Sequence, residues 1–126
     1  MWKMLQKKIP RDYVISTGKQ FTVKQFVNLV LKELNIKHRW KGKGVKEKCF
    51  DENGKCIVAC DKEYFRPLEV DTLLGNSRKA QKELNWRPKI DFEQGIKMTL
   101  KWYKNNKEYY ESFSKKDILK RLGKND

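Results

Sequence analysis

The chain has 126 residues, with 30 Lys or Arg against 16 Asp or Glu and a formal net charge of +14. That length allows one domain with a real core, and an aromatic content of 12% argues against disorder despite a charged fraction of 37%. The positive charge is mostly Lys and runs from Lys3 to Lys124 instead of gathering in one stripe, so nucleic-acid recognition is not expected beyond non-specific polyanion attraction.

Met1–Gln6 is apolar in a helical pattern that Pro10 ends, and it reads as the tail of a helix that begins upstream. Asp12-Tyr13-Val14-Ile15-Ser16 predicts a short buried strand ending at Gly18. Thr22 to Leu34 is the clearest element. Thr22 and Gln25 form a capping box, and Phe21 and Phe26 occupy the positions of a hydrophobic staple. Val23, Phe26, Val27, Val30, Leu31 and Leu34 make one apolar stripe, which predicts a core-facing amphipathic helix. Ile36–Trp40 then alternates like a strand, and the chain's only histidine, His38, has a structural role there.

Gly42-Lys43-Gly44 lacks the third glycine and the capped helix of a nucleotide loop. Glu47–Glu52 and Lys55–Cys60 flank Asn53-Gly54, a strong hairpin signal, and a connecting ribbon is the expected outcome. Cys49, Cys56 and Cys60 lack zinc-ligand spacing and histidine partners. They are expected to be reduced and buried in strands, with no metal bound. An odd cysteine count, no secretory signal and no long apolar run suggest a cytoplasmic protein without a membrane span.

Asp61 to Gly75 is the stretch around which the chain is organised. Arg66 offers a planar fork of donors suited to phosphate, and Pro67 biases Arg66 towards an extended conformation. Glu69 supplies an acceptor for sugar hydroxyls. From residue types alone the plainer reading is a surface Arg–Glu pair on a turn. Beyond it, Asn76 or Ser77 caps a short helix through Leu84, Asn85 stops it, and Pro88 prevents its continuation. Asp91 and Gln94 form a second cap pair, opening a helix with Phe92, Ile96, Leu100 and Tyr103 on one face. From Asn105 onward the chain is polar, with enough apolar residues between Tyr109 and Leu122 for a terminal helix.

No glycine-rich Rossmann loop occurs, and a lone histidine makes a Ser–His–Asp triad improbable. Tyr103 and Lys107 match the Tyr-x-x-x-Lys spacing of short-chain dehydrogenases. The match falls at the end of a helix with no nucleotide fold before it, and is read as chance.

Several blocks in order resemble the C-terminal part of the GDP-mannose 4,6-dehydratase family of extended short-chain dehydrogenase/reductases. They are Met1–Gln6, Asp12–Gln20, Phe26-Val27, Tyr64–Gly75 and Lys79–Pro88, with Phe65-Arg66-Pro67-Leu68-Glu69-Val70-Asp71-Thr72-Leu73-Leu74-Gly75 the most diagnostic. The likeness spans roughly residues 1–105, leaving 106–126 as a polar, helical tail. It implies an α/β fold: a small C-terminal substrate-binding domain, its short strands and hairpin packed on three or four helices, with the Rossmann domain absent and the first helix entered part-way. It further implies that Arg66 binds the diphosphate of GDP-mannose or GDP and that Glu69 accepts from the ribose hydroxyls. Family enzymes use NADP and form dimers or tetramers. The glycine loop and catalytic residues belong to the missing half, so this chain alone is expected to have no catalytic residues, to bind no cofactor and to lack dehydratase activity. A separate Rossmann-domain chain completing a split enzyme, and a basic module for RNA or another polyanion, are the alternatives. Apolar surface left exposed predicts self-association or marginal stability.

Overall fold

The computed structural model describes residues 1–61, 70 and 72–113. They carry five α-helices and three strands, falling into two compact units, Met1–Asp91 and Phe92–Asp126. The α/β class is as expected, with five short helices in place of three or four.

In the first unit, α1 spans Trp2–Leu5 and α2 spans Val23–Glu33. The Thr22 hydroxyl accepts from the Gln25 backbone N–H at 3.1 Å, and Gln25 Oε1 accepts from the Thr22 N–H at 2.7 Å. Both halves of the capping box are therefore present, satisfying donors that the first helical turn cannot pair. Strands β1 (His38–Lys41), β2 (Lys48–Asp51) and β3 (Cys56–Ala59) form an antiparallel meander in the order β1-β2-β3. A 3₁₀ turn at Gly44–Lys46 joins the first two, so the Gly-Lys-Gly segment is a connection. The predicted hairpin is present with a longer turn. Gly54 N–H closes onto Asp51 O at 3.2 Å, and Gly54, not Asn53, takes the left-handed conformation at φ 81°.

Helix α2 is tied to this sheet by polar side chains. Asn28 Oδ1 accepts from Trp40 Nε1 at 2.7 Å and lies 3.1 Å from His38 Nε2. Lys24 pairs with Glu47 at 2.6 Å and lies over the Trp40 ring, 4.9 Å from its centroid. His38 is thus structural, as expected.

Three expectations are corrected. Asp12–Ser16 is not a strand: it has no ladder partner among the described residues, and Val14 and Ile15 are exposed. Its bonds go to Gly75 and to α3 (Arg78–Leu84), as detailed below. The apolar stripe of α2 is likewise only partly core, since Leu31 is buried whereas Val23 is 80% exposed. The hydrophobic core among the described residues reduces to Leu31, Cys49, Ala80 and Leu84. Of the three cysteines only Cys49 is buried; Cys56 and Cys60 are exposed. Trp2, Leu5 and Ile9 also stand open to solvent.

The second unit contains α4 (Phe92–Asn105) and α5 (Lys107–Glu111). Trp102 meets Tyr103 and Tyr109 edge-on at 5.3 and 5.6 Å, and Tyr109 meets Phe113 at 5.3 Å. Tyr103 packs on Tyr110, while Lys107 opens α5 and pairs with Glu111 at 3.2 Å, so both side chains have structural partners.

Candidate functional site

Arg66 and Glu69 lie outside the described residues, as does most of the block that carries them. What the structure shows is how the chain is held on leaving that block. Gly75 lies hard against the Tyr13–Ser16 segment. A Cβ at Gly75 would sit 2.7 Å from Ser16 Cβ and 3.3 Å from Val14 Cγ1, so only glycine permits the approach. The Ser16 hydroxyl donates to Gly75 O at 2.8 Å, fixing the two backbones together.

Helix α3 follows at once. Asn76 Oδ1 accepts from the Arg78 backbone N–H at 3.1 Å, and the buried Ser77 accepts from Gln81 Nε2 at 3.0 Å. The expected cap is therefore shared: Asn76 supplies the side-chain acceptor, while Ser77 occupies the cap position and its hydroxyl accepts no first-turn backbone N–H. Asn85 ends the helix at φ 46° and ψ 47°, the left-handed stop expected of it.

A polar network clamps α3 onto residues 11–16. The Tyr13 hydroxyl donates to Glu83 Oε2 at 2.8 Å, Arg11 pairs with Glu83 Oε1 at 3.2 Å, and Lys79 Nζ donates to Asp12 O at 3.0 Å. Lys79 also lies over the Tyr13 ring, 5.1 Å from its centroid. The Tyr13 hydrogen bond, supported by Arg11 and Lys79 against a smaller opposing effect of burial, holds the Glu83 carboxyl below its ordinary value. The same bond, then burial, pushes the Tyr13 phenol up. Arg11 and Glu83 were not singled out in the sequence; the signal was slight, a polar pair separated by 72 positions.

Residues 11–16 thus meet Gly75 and α3, which lie 59 to 72 positions further along the chain. Both stretches fall largely within the blocks that carry the resemblance, and the match extends along most of the chain. A family model described as GDP-mannose 4,6 dehydratase matches residues 1–99. The chain belongs to the GDP-mannose 4,6-dehydratase family. It is 45% identical over 97 residues to GDP-mannose 4,6 dehydratase 2 of Caenorhabditis elegans, covering 77% of this chain and 25% of that relative. It is 40% identical over 114 residues to GDP-mannose 4,6 dehydratase of Dictyostelium discoideum, covering 86% and 32%. Against GDP-mannose 4,6-dehydratase of Vibrio cholerae serotype O1 it is 43% identical over 106 residues, covering 75% and 28%. The chain thus spans between a quarter and a third of the length of these relatives, and the part matched is the family's C-terminal region.

Among the described residues no helix is long and apolar enough to cross a membrane, and no group of side chains is disposed to hold a metal ion. The sheet is a three-stranded antiparallel meander with no parallel βαβ unit. The described residues therefore do not fit a dinucleotide, which is bound where a glycine-rich turn joins a parallel strand to a helix.

Proposed function

We propose that this chain contributes the GDP-sugar-binding portion of a GDP-mannose 4,6-dehydratase in the cytoplasm, with Arg66 on the diphosphate and Glu69 accepting from the ribose hydroxyls. The observation that carries this reading is the family match over residues 1–99, which includes both positions. The geometry supports it, because Gly75 and Ser16 anchor the exit of the block to the segment that α3 braces. A guanidinium beside a diphosphate forms paired, charge-assisted bonds that a Lys could not reproduce. A carboxylate facing a ribose discriminates by the hydroxyls that it accepts.

Family enzymes take NADP, and these residues do not fit it, so no step of hydride transfer or dehydration is assigned here. A Rossmann portion, in a longer chain or in a separate Rossmann-domain chain, would be the partner that completes the reaction.

The test uses sugar and base variants of the ligand. GDP is expected to bind more tightly than 2′-deoxy-GDP, and Glu69→Gln is expected to erase most of that difference. Equal discrimination in wild type and Glu69→Gln would remove the assignment. The purified chain with NADP is expected to leave GDP-mannose unchanged; measurable turnover would contradict its being a binding portion alone.

A further inference from the structure

Lys3, Arg87 and Lys89 line one cleft of about 610 Å3, together with Ile15, Trp86 and Pro88. No acidic residue lines it, although the chain has 16. Lys3 Nζ donates to the backbone carbonyl of Asn85 at 2.7 Å, which fixes the ammonium at the cleft without neutralising it. Arg87 and Lys89 are exposed, and neither takes part in an ion pair among the described residues. Three cations lining one concavity focus a positive potential into it, and an anion entering relieves their mutual repulsion.

The walls are not those of a plain anion hole. Trp86 is half-buried and is joined by Ile15 and Pro88, so the cleft pairs a flat aromatic wall and apolar flanks with a cationic rim. A flat heteroaromatic ring that carries a phosphate matches both features, the ring against indole and the phosphate against the cations. The volume lies within the roughly 300–1,000 Å3 usual for small-molecule sites.

We propose that this cleft binds a nucleoside phosphate, its base against Trp86 and its phosphate between Lys3, Arg87 and Lys89. The site uses neither Arg66 nor Glu69 and stands independently of the GDP-sugar reading.

The experiment follows the Trp86 indole N–H resonance of the full chain, assigned with Trp86→Phe, during titration with AMP, adenosine and pyrophosphate in turn. AMP is expected to move the resonance saturably, adenosine and pyrophosphate to act more weakly, and Arg87→Ala/Lys89→Ala to weaken AMP at least about tenfold. Arg66→Ala should leave that response unchanged. A resonance that AMP does not move, a response as strong with pyrophosphate, or one indifferent to the double variant would overturn the proposal. So would a response abolished by Arg66→Ala, which would assign the binding to the other site. Loss of the tighter GDP-binding component in Arg66→Ala with the Trp86 response to AMP intact separates the two readings.

Discussion

Tyr13 donates to Glu83 across 70 positions of sequence, closing a 2.8 Å bond between the Asp12–Ser16 segment and the last turn of α3. Arg11 holds the other carboxylate oxygen, so one acid organises both partners.

This arrangement makes stability depend on pH. The folded state lowers the Glu83 pKa from its ordinary value of 4.5, so the stabilisation is present above that value. It is lost as pH falls through the lower, folded value. Tyr13→Phe and Glu83→Gln are each expected to flatten the acid side of a melting-temperature profile, and added salt to weaken the effect, since Arg11 is half-exposed. An unchanged acid limb in both variants would contradict the clamp. The raised Tyr13 pKa acts at the opposite end: its stabilisation is full below the ordinary 10.0 and is lost as pH rises through the folded value.

Asn28 is the joint between α2 and the sheet. Asn28→Ala leaves the part-buried Trp40 indole N–H without its acceptor and is expected to cost about 1–3 kcal/mol in denaturant unfolding. Trp40→Phe removes the donor, so in that background the cost of Asn28→Ala should shrink. Additive effects would show that the bond carries no coupling.

Gly75→Ala drives a Cβ into Ser16 and is expected to destabilise by about 1–3 kcal/mol. Ser16→Gly clears the side chain that it meets, so the double variant should recover part of the loss. A Gly75→Ala protein as stable as wild type would mean that the two segments do not approach this closely.

Thiol accessibility provides an independent check on the sheet. Cys56 and Cys60 are exposed, while Cys49 is fully buried and its thiol is pushed up by that burial. A thiol-disulfide reagent should modify two groups rapidly in the native chain and the third only on unfolding. Rapid reaction of all three would place Cys49 at the surface.

Local chemistry was the legible part of the fold. The Thr22–Gln25 box, the glycine of the hairpin and the left-handed Asn85 each state their structure within a few residues. Asp12–Ser16 misled because its apolar residues have the composition of a strand, whereas a strand also needs a neighbour to complete its ladder. Here the neighbours are α3 side chains and Gly75, and that pairing is written nowhere near the segment. The stripe of α2 marked a face correctly but not how much of it would be covered. Val23 lies in the first turn and remains open, while Leu31 lies deep. The irregular register between Cys49 and Phe50 had no sequence signature at all. Arg66 and Glu69 are proposed from their chemistry and their block and lie outside the described residues; the contacts that brace the block's exit, Gly75 on Ser16 and Tyr13 on Glu83, only emerge in three dimensions.

The central claim is that Arg66 makes this chain a guanine-nucleotide binder, and calorimetric titration of GDP and GDP-mannose at two salt concentrations tests it most directly. Saturable binding that persists at the higher salt and loses its tighter component in Arg66→Ala is the predicted result. Weak binding that salt erases and Arg66→Ala leaves untouched would contradict it, reducing the interaction to the attraction of a +14 chain for any polyanion.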